Sequence, residues 1–561
     1  MSLYRPSRLR RRRAPIGFRL LVGVLGLSML SFVFRVLGGT WIPFTSPGKP
    51  EPSPTPVATV TPEPSPLPIN RDFAGITTFR GNASRSYYGV GPVPRKAEIK
   101  WRFPAEGSMC GETVIKTTTG NVNRQLCGVG WTGQANVVQV DGRVEVRFGG
   151  FDGAVHFLDG KTGQTIRQQV ETGGLPKGSM TTDPGGFPLV YVGSMDGKLR
   201  IIALDRDTPQ VLWELDSQTS VDQPLWGKSW NGSPLILGDY MVEGGENSWI
   251  YVVKLNRDYD RDGLVTVNPE IVWKHEGWDD QLLSDLGDQE VSIENSVAYR
   301  RGVIYFANSG GLVQGWDISR ILDGGTRAEQ VFRFWTGDDT DATITIDPDG
   351  YLYVGVEVQR RTARSSQVGQ LIKLDPSKPE TPVVWSVTLD TPGLDGQGGI
   401  WGTPAIADGM VYVPTNAGEL VGVDAKTGKV WWSIQLTPPA WSSPVVVDGV
   451  LLQGDCSGTL YAYDVARRPH ADALPGMGDQ PFTDAPQLSP SREGRDAPIQ
   501  RQRPSRQERP SRPEPRGPRC PSRLRRAVSR HFGLARQRGC RCCCRSGWCI
   551  RCRTERRSHS R

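Results

Sequence analysis

Histidine is nearly missing from this chain. Of five in 561 residues, only His156 and His275 precede residue 467. Neither stands in a metal-ligand pair or beside a nucleophile motif, so histidine-based hydrolysis and zinc catalysis have no candidate residues. A phosphate loop is lacking as well: DGKT at Asp159 has Val155 where the first glycine is required, and it reads as a turn after a strand. Basic charge is scarce in the body. Residues 1–35 carry 8 Arg and no acid, residues 467–561 carry 24 Arg against 8 acids, and the stretch between holds 35 Lys+Arg against 51 Asp+Glu. An acidic body excludes a nucleic-acid partner, despite the overall charge of +8.

Long apolar runs are also rare, and the one that stands out lies near the start. Arg5, Arg8, Arg10–Arg13 and Arg19 precede Leu20–Phe34, and extending the run through Val36–Phe44 gives enough length for one transmembrane helix. The positive-inside rule then keeps residues 1–19 cytoplasmic, makes 20–42 a membrane anchor and exports the rest. The run is followed by no Ala-x-Ala cleavage site and no cysteine for lipidation, so an uncleaved single-pass anchor is the expectation. Residues 43–69 follow as a linker, with ten Pro between 43 and 68, a composition that cannot form a core.

What is plentiful is glycine, 66 residues, with 17 Trp. Short strands joined by tight turns use both. The stretch Gly418–Trp432, GELVGVDAKTGKVWW, shows the unit most cleanly: an apolar strand ending at Asp424, a turn with Thr427 and Gly428, and a strand carrying Trp432. Worn copies end their strands at Asp159, Asp205, Asn256, Asp317, Asp375, Asp424 and Asp464, spaced 40 to 61 residues apart. That spacing suits a four-stranded propeller blade.

Gly422, Asp424, Thr427, Gly428 and Trp432, with Ala203, Asp205, Thr208 and Trp213, resemble the motif of pyrroloquinoline-quinone-type β-propeller repeats, Ala-x-Asp-x-x-Thr-Gly-x-x-x-Trp. The preamble from Phe79, FRGNASRSYYGVGPVP, is similar to the segment before the first blade in that family. The resemblance implies an all-β propeller over residues 70–466, with seven four-stranded blades, or eight in an intact protein, behind one transmembrane helix. It also implies that the closing Trp docks between neighbouring blades, making Asp205, Trp213, Asp424, Thr427, Gly428 and Trp432 blade-forming residues. Strand 99–103 is expected to supply the outer strand of the last blade.

Beyond Ala466 the repeat stops inside a unit. Residues 467–561 are rich in Arg, Pro and Cys and show no strand alternation, which suggests a disordered tail produced by a shifted reading frame. Cys549 and Cys552 have a zinc-type spacing, but no second pair sits in a foldable context.

Candidate sites in the body are few. Cys110 and Cys127 are a candidate disulfide in an oxidising compartment. Asp258, Asp260 and Asp262, in DYDRDG, resemble a calcium loop, although Pro269 stands where that loop's last ligand belongs. Trp131, Trp230, Trp401 and Trp441 open four blades, and Trp230, Trp401 and Trp441 are candidates to line a ligand mouth, with packing between blades as the competing role. The acidic loop 277–294 is a candidate surface for a cation or a basic partner. The adjacent Cys pair that the resemblance places beside quinone in related dehydrogenases is lacking in the propeller, so pyrroloquinoline quinone is not expected, while calcium stays open. The sequence therefore reads as a non-catalytic extracytoplasmic binding or assembly scaffold, similar in repeat type to propeller lipoproteins that scaffold outer-membrane protein assembly, with a protein or glycan partner at one propeller face. A quinone- and calcium-dependent dehydrogenase and a cell-surface glycan-binding module are the alternatives.

Overall fold

The computed structural model describes residues 75–466 apart from 95, 97, 118–119, 131–132 and 394–395. Among them no helix is long and apolar enough to cross a membrane, and the anchor segment 20–42, the linker, the tail cysteines and Trp131 lie outside them. Seven antiparallel sheets follow one another in chain order, one for each repeat counted in the sequence, and form a β-propeller. Blade 1 uses Asn136–Val140, Arg143–Gly149, Ala154–Asp159 and Val170–Glu171, with Gly75–Ile76 added at its inner edge. Blades 2 to 6 have four strands each, beginning at Thr181, Leu235, Ala298, Thr345 and Ala405. Blade 7 has three, Val445–Val447, Val450–Gly454 and Leu460–Asp464.

Middle strands are buried on both faces because each blade is sandwiched between two others. Leu420, Val421 and Val423 in the strand Glu419–Asp424 are at most 1 % exposed. The outer strand Val430–Gln435 covers one face only, so Trp432 and Ile434 turn inward while Trp431 and Ser433 face solvent. A bulge where this strand pairs with Gly422 and Val423 adds the extra residue, and the same irregularity recurs in blades 2 to 5. Trp432 lies flat against Gly422, where a Cβ would come within 2.3 Å of the ring, which explains glycine in place of the motif's alanine.

The turn residues hold their own geometry. Asp424 accepts from the Lys426 and Thr427 amides and from the Thr427 hydroxyl, and Asp159 repeats the pattern with Lys161 and Thr162. Gly428, at φ 74°, takes the left-handed position and receives the Trp385 ring of the preceding blade, whose indole donates to the Ala425 carbonyl at 3.1 Å. Asp205 departs from this pattern: its carboxylate reaches the Val265 amide in blade 3's insertion. Trp213 packs into the core shared by blades 2 and 3.

Around the axis the blades are linked by a belt. Two residues into each blade opening stands a hydroxyl or Gln134, and in blades 1 and 3 to 6 the backbone N–H there donates to the hydroxyl of the next blade. The bonds run Gln134 to Ser179 (2.7 Å), Ser233 to Ser296 (2.9 Å), Ser296 to Thr343 (3.0 Å), Thr343 to Thr403 (3.1 Å) and Thr403 to Ser443 (2.9 Å). Thr181 and Ser233, 3.0 Å apart through their hydroxyls, join blades 2 and 3.

One end of the axis is filled by residues 77–88. Thr182, Tyr299 and Ile346 donate their amides to the carbonyls of Thr77, Ala83 and Ser84, and Ile406 donates to the Tyr88 hydroxyl. Arg85 is fully buried and donates to the Val297, Phe79 and Ser233 carbonyls and the Thr78 hydroxyl. Arg80 links blade 1 to blade 6, its amide on Gln134 and its guanidinium on the Thr403 carbonyl.

The expected outer strand 99–103 is not a strand. Trp101 nevertheless donates to the Gly160 carbonyl at 3.1 Å and covers Gly163, the relation that Trp385 has to Ala425 and Gly428. The closing tryptophan is thus delivered from the N-terminal side without the strand pairing, because the segment is held through its ring rather than through its backbone.

Arg85→Ala leaves three carbonyls and a hydroxyl buried without their donor and is expected to lower stability by about 3 to 4 kcal/mol. Arg85→Lys, lacking the planar fork, should recover little of it. Urea unfolding checks both, and an unchanged midpoint for Arg85→Ala would contradict this role for the plug.

Candidate functional site

The residue two places before each belt position lies on the far side of the belt from the plug, since a strand advances about 3.3 Å per residue. In blades 2 to 7 these residues are Lys177, Asn231, Glu294, Asp341, Trp401 and Trp441. They divide the mouth into two halves. Trp401 and Trp441 stack with ring centroids 4.7 Å apart and planes 10° from parallel, and the Trp441 indole donates to Asn416. Across from them Lys177 pairs with Glu294 at 2.6 Å, and Asn231 donates to both Glu294 and Glu246.

Trp230 is not part of this rim. It is fully buried, its indole donates to the Gly197 carbonyl, and its ring packs against Tyr251. The physical reason is one residue of register: Trp230 precedes its proline, Pro234, by four positions, whereas Trp401 and Trp441 precede Pro404 and Pro444 by three, and in a strand one step turns a side chain to the opposite face.

The acidic half deepens beside blade 5. Its opening, Asp338-Asp339-Thr340-Asp341, alternates in direction. Asp338 turns away and accepts from the amides of Asp339, Gln359, Arg360 and Arg361 and from the Ser365 hydroxyl, fixing the segment 357–365. Asp339 and Asp341 turn the other way and meet Glu357, one oxygen from each lying within 4.8 Å of the others. The Gln359 amide donates to Asp339 Oδ2 (3.1 Å) and Glu357 Oε2 (2.7 Å), while Ser309 donates to Asp341.

Burial and the neighbouring carboxylates, in that order, push Asp339 and Glu357 well above the carboxylate range and Asp341 up to about 8. Glu246 is raised by burial and by Glu294. Burial pulls Lys177 down, but Glu294, Glu246 and Asp341 outweigh it and hold the ammonium charged. Deeper along the axis Glu243, 1 % exposed, is also raised well above its ordinary value by burial, an effect that Arg85 opposes.

The calcium-loop candidate lies apart from this site. DYDRDG forms an exposed hairpin turn in blade 3, in which Asp260 accepts from the Asp262 and Leu264 amides and Gly263 takes φ 76°. Asp258, Asp260 and Asp262 do not form a ligand cluster there; among the described residues the cluster of three close carboxylates is Asp339, Asp341 and Glu357. The acidic loop 277–294 reaches the mouth through Glu294 and spends much of its remaining charge on two arginines. Asp279 caps the helix Asp280–Leu286 and pairs with Arg333, while Asp288 and Glu290 hold Arg360. Cys110 and Cys127 are joined by a disulfide, S–S 2.04 Å, across the base of a hairpin formed by Cys110–Thr117 and Gly120–Cys127. His156 is buried against Phe103 and Phe148 and bonded to Asp152.

Residues 369–468 match the family model described as outer membrane protein assembly factor BamB, a stretch running from blade 5 to the end of blade 7. The crystal structure of BamB from Moraxella catarrhalis is similar at 14 % identity, over 63 % of this chain and 91 % of its own, with a TM-score of 0.42. No curated protein matches the sequence.

A carboxyl raised in the folded state takes up a proton on folding, so its contribution to stability is full below its ordinary value near 4 and is lost as pH rises through the folded value. With Asp341 at about 8 and Asp339, Glu357, Glu246 and Glu243 raised in the same direction, chelator-treated protein should lose on the order of 5 °C in Tm between pH 5 and 8. Asp341→Asn should flatten that slope. A Tm that rises over the interval would show that these carboxyls are not held protonated.

Proposed function

We propose that this chain is a non-catalytic assembly scaffold, held outside the cytoplasm by its N-terminal segment, whose mouth takes a protein partner. The observation that carries the reading is the half-buried Trp401–Trp441 stack on the rim, opposite a charged half and rigidly mounted on the belt. Paired aromatics beside polar groups are the usual energetic centre of a protein interface. The disulfide-tied hairpin stands at the same rim, since Gly130 just beyond it lies against the Lys177 carbonyl. Val114 and Val122, 57 % and 37 % exposed, give the hairpin an apolar surface for a partner. The location is supported by the basic cluster ahead of Leu20–Phe34 and by a disulfide that persists in oxidising compartments. The assembly role is supported by the family name matched over residues 369–468.

A photo-crosslinking amino acid at position 114 of the full chain in living cells should give a discrete adduct with an envelope protein. Trp401→Ala combined with Trp441→Ala should reduce its yield at least about tenfold while leaving thermal unfolding unchanged. Dye-linked alcohol or sugar oxidation after incubation with pyrroloquinoline quinone would instead establish the dehydrogenase reading, and binding on a glycan array without a protein adduct the glycan reading; either would overturn the proposal.

A further inference from the structure

We infer that Asp339, Asp341 and Glu357 form a binding site for one hard divalent cation of the calcium class, set in the wall of the mouth at blade 5. Three acids close together would not be enough to say so. Asp339 and Glu357 are 5 % and 0 % exposed, and Asp339 Oδ1 and Glu357 Oε1 have no hydrogen-bond partner. A buried carboxylate oxygen without a donor costs several kcal/mol unless a proton or a cation meets it.

The surroundings select those two oxygens. The Gln359 amide engages the second oxygen of each carboxylate, Oδ2 of Asp339 and Oε2 of Glu357, leaving Oδ1 and Oε1 for something else. Asp341, two residues along from Asp339, adds a third carboxylate, and one oxygen from each of the three lies within 4.8 Å of the others, a span that fits inside the roughly 5 Å between oxygens on opposite sides of one calcium ion. The nearest cationic side chains act on the cluster electrostatically, Lys177 on Asp341 and Arg360 on Asp339, while their ion pairs are made with Glu294 and with Asp288 and Glu290.

The framework around the site is fixed before any ion arrives. Asp338 anchors the loop by accepting five hydrogen bonds, and the Glu357 amide donates to the Asp339 carbonyl at 2.8 Å. All three ligands are carboxylates, with no imidazole or thiolate, a donor set that favours calcium, magnesium or manganese over zinc or copper. Asp341 is only partly buried and leaves a path from the mouth. This site is separate from the proposed partner-binding Trp pair.

The test is calorimetry on the full chain in detergent, treated with chelator and exchanged into chelator-free buffer, titrated with calcium chloride. One saturable site is expected, together with a rise of several degrees in Tm. Asp339→Asn and Glu357→Gln, which keep shape and remove charge, should each weaken binding at least tenfold, and Gln359→Ala should weaken it less. Asp260→Ala, on the exposed hairpin, should leave it unchanged. No heat and no Tm change at 10 mM calcium in the unmutated chain would overturn the inference without recourse to any variant. Binding lost in Asp260→Ala and retained in Glu357→Gln would overturn it equally.

Discussion

The structure depends on a constraint at its axis, where seven strands arrive with amide groups that can pair neither with a further strand nor with bulk water. Their solution is lateral: an amide of one blade is satisfied by a hydroxyl on the next, from Gln134 and Ser179 round to Thr403 and Ser443. Each bond is worth only about 1 kcal/mol net, yet leaving such a donor unmet would cost more. The belt therefore fixes the angular spacing of the blades, and the hydrophobic cores between them, such as the one joining blades 2 and 3 around Tyr191, Leu199 and Tyr251, fill the wedge that the spacing leaves.

The belt also separates two chemistries along the axis. On one side lie the buried guanidinium groups, Arg85 with its donors spent largely on carbonyls and Arg80 bonded to the Thr403 carbonyl and lying over the Tyr88 ring; on the other lie the carboxylates of blades 3 to 5 and the Trp pair of blades 6 and 7. Glu243 sits toward Arg85 and is the point at which the two fields meet. Because the acidic residues and the tryptophans occupy corresponding places in successive openings, the mouth can vary its chemistry residue by residue without disturbing the strands beneath it.

Much of the fold was legible because turn chemistry is local. Asp, Thr and Gly at fixed offsets mark blades 1 and 6, worn copies of the same turn mark the others, and the seven copies predicted seven sheets. The outer strand at 99–103 was misread: an apolar stretch with a Trp looks like a strand, but only its ring is used. The belt was within reach once the openings are aligned, since Ser179, Ser233, Ser296, Thr343, Thr403 and Ser443 fall at one position. The same alignment separates Trp230 from Trp401 and Trp441 and sets Asp341 beside them. Glu357 was beyond reach, because it comes from a different strand and its approach to Asp339 is a tertiary event.

The course of residues 75–101 has a mechanical consequence. From the inner edge of blade 1 the segment passes through the plug, touches blade 6 at Tyr88 and blade 7 where Gly91 meets Asp448, and returns to blade 1 at Trp101. It is a strap wound across the join of the ring. A pull from the N-terminal side first loads the two-residue pairing of Gly75–Ile76 with Val137 and Val138, and then Arg80 and Arg85, whose bonds reach several blades at once. Tension would thus be shared round the ring before any single blade is peeled, as in a drawstring secured at its centre.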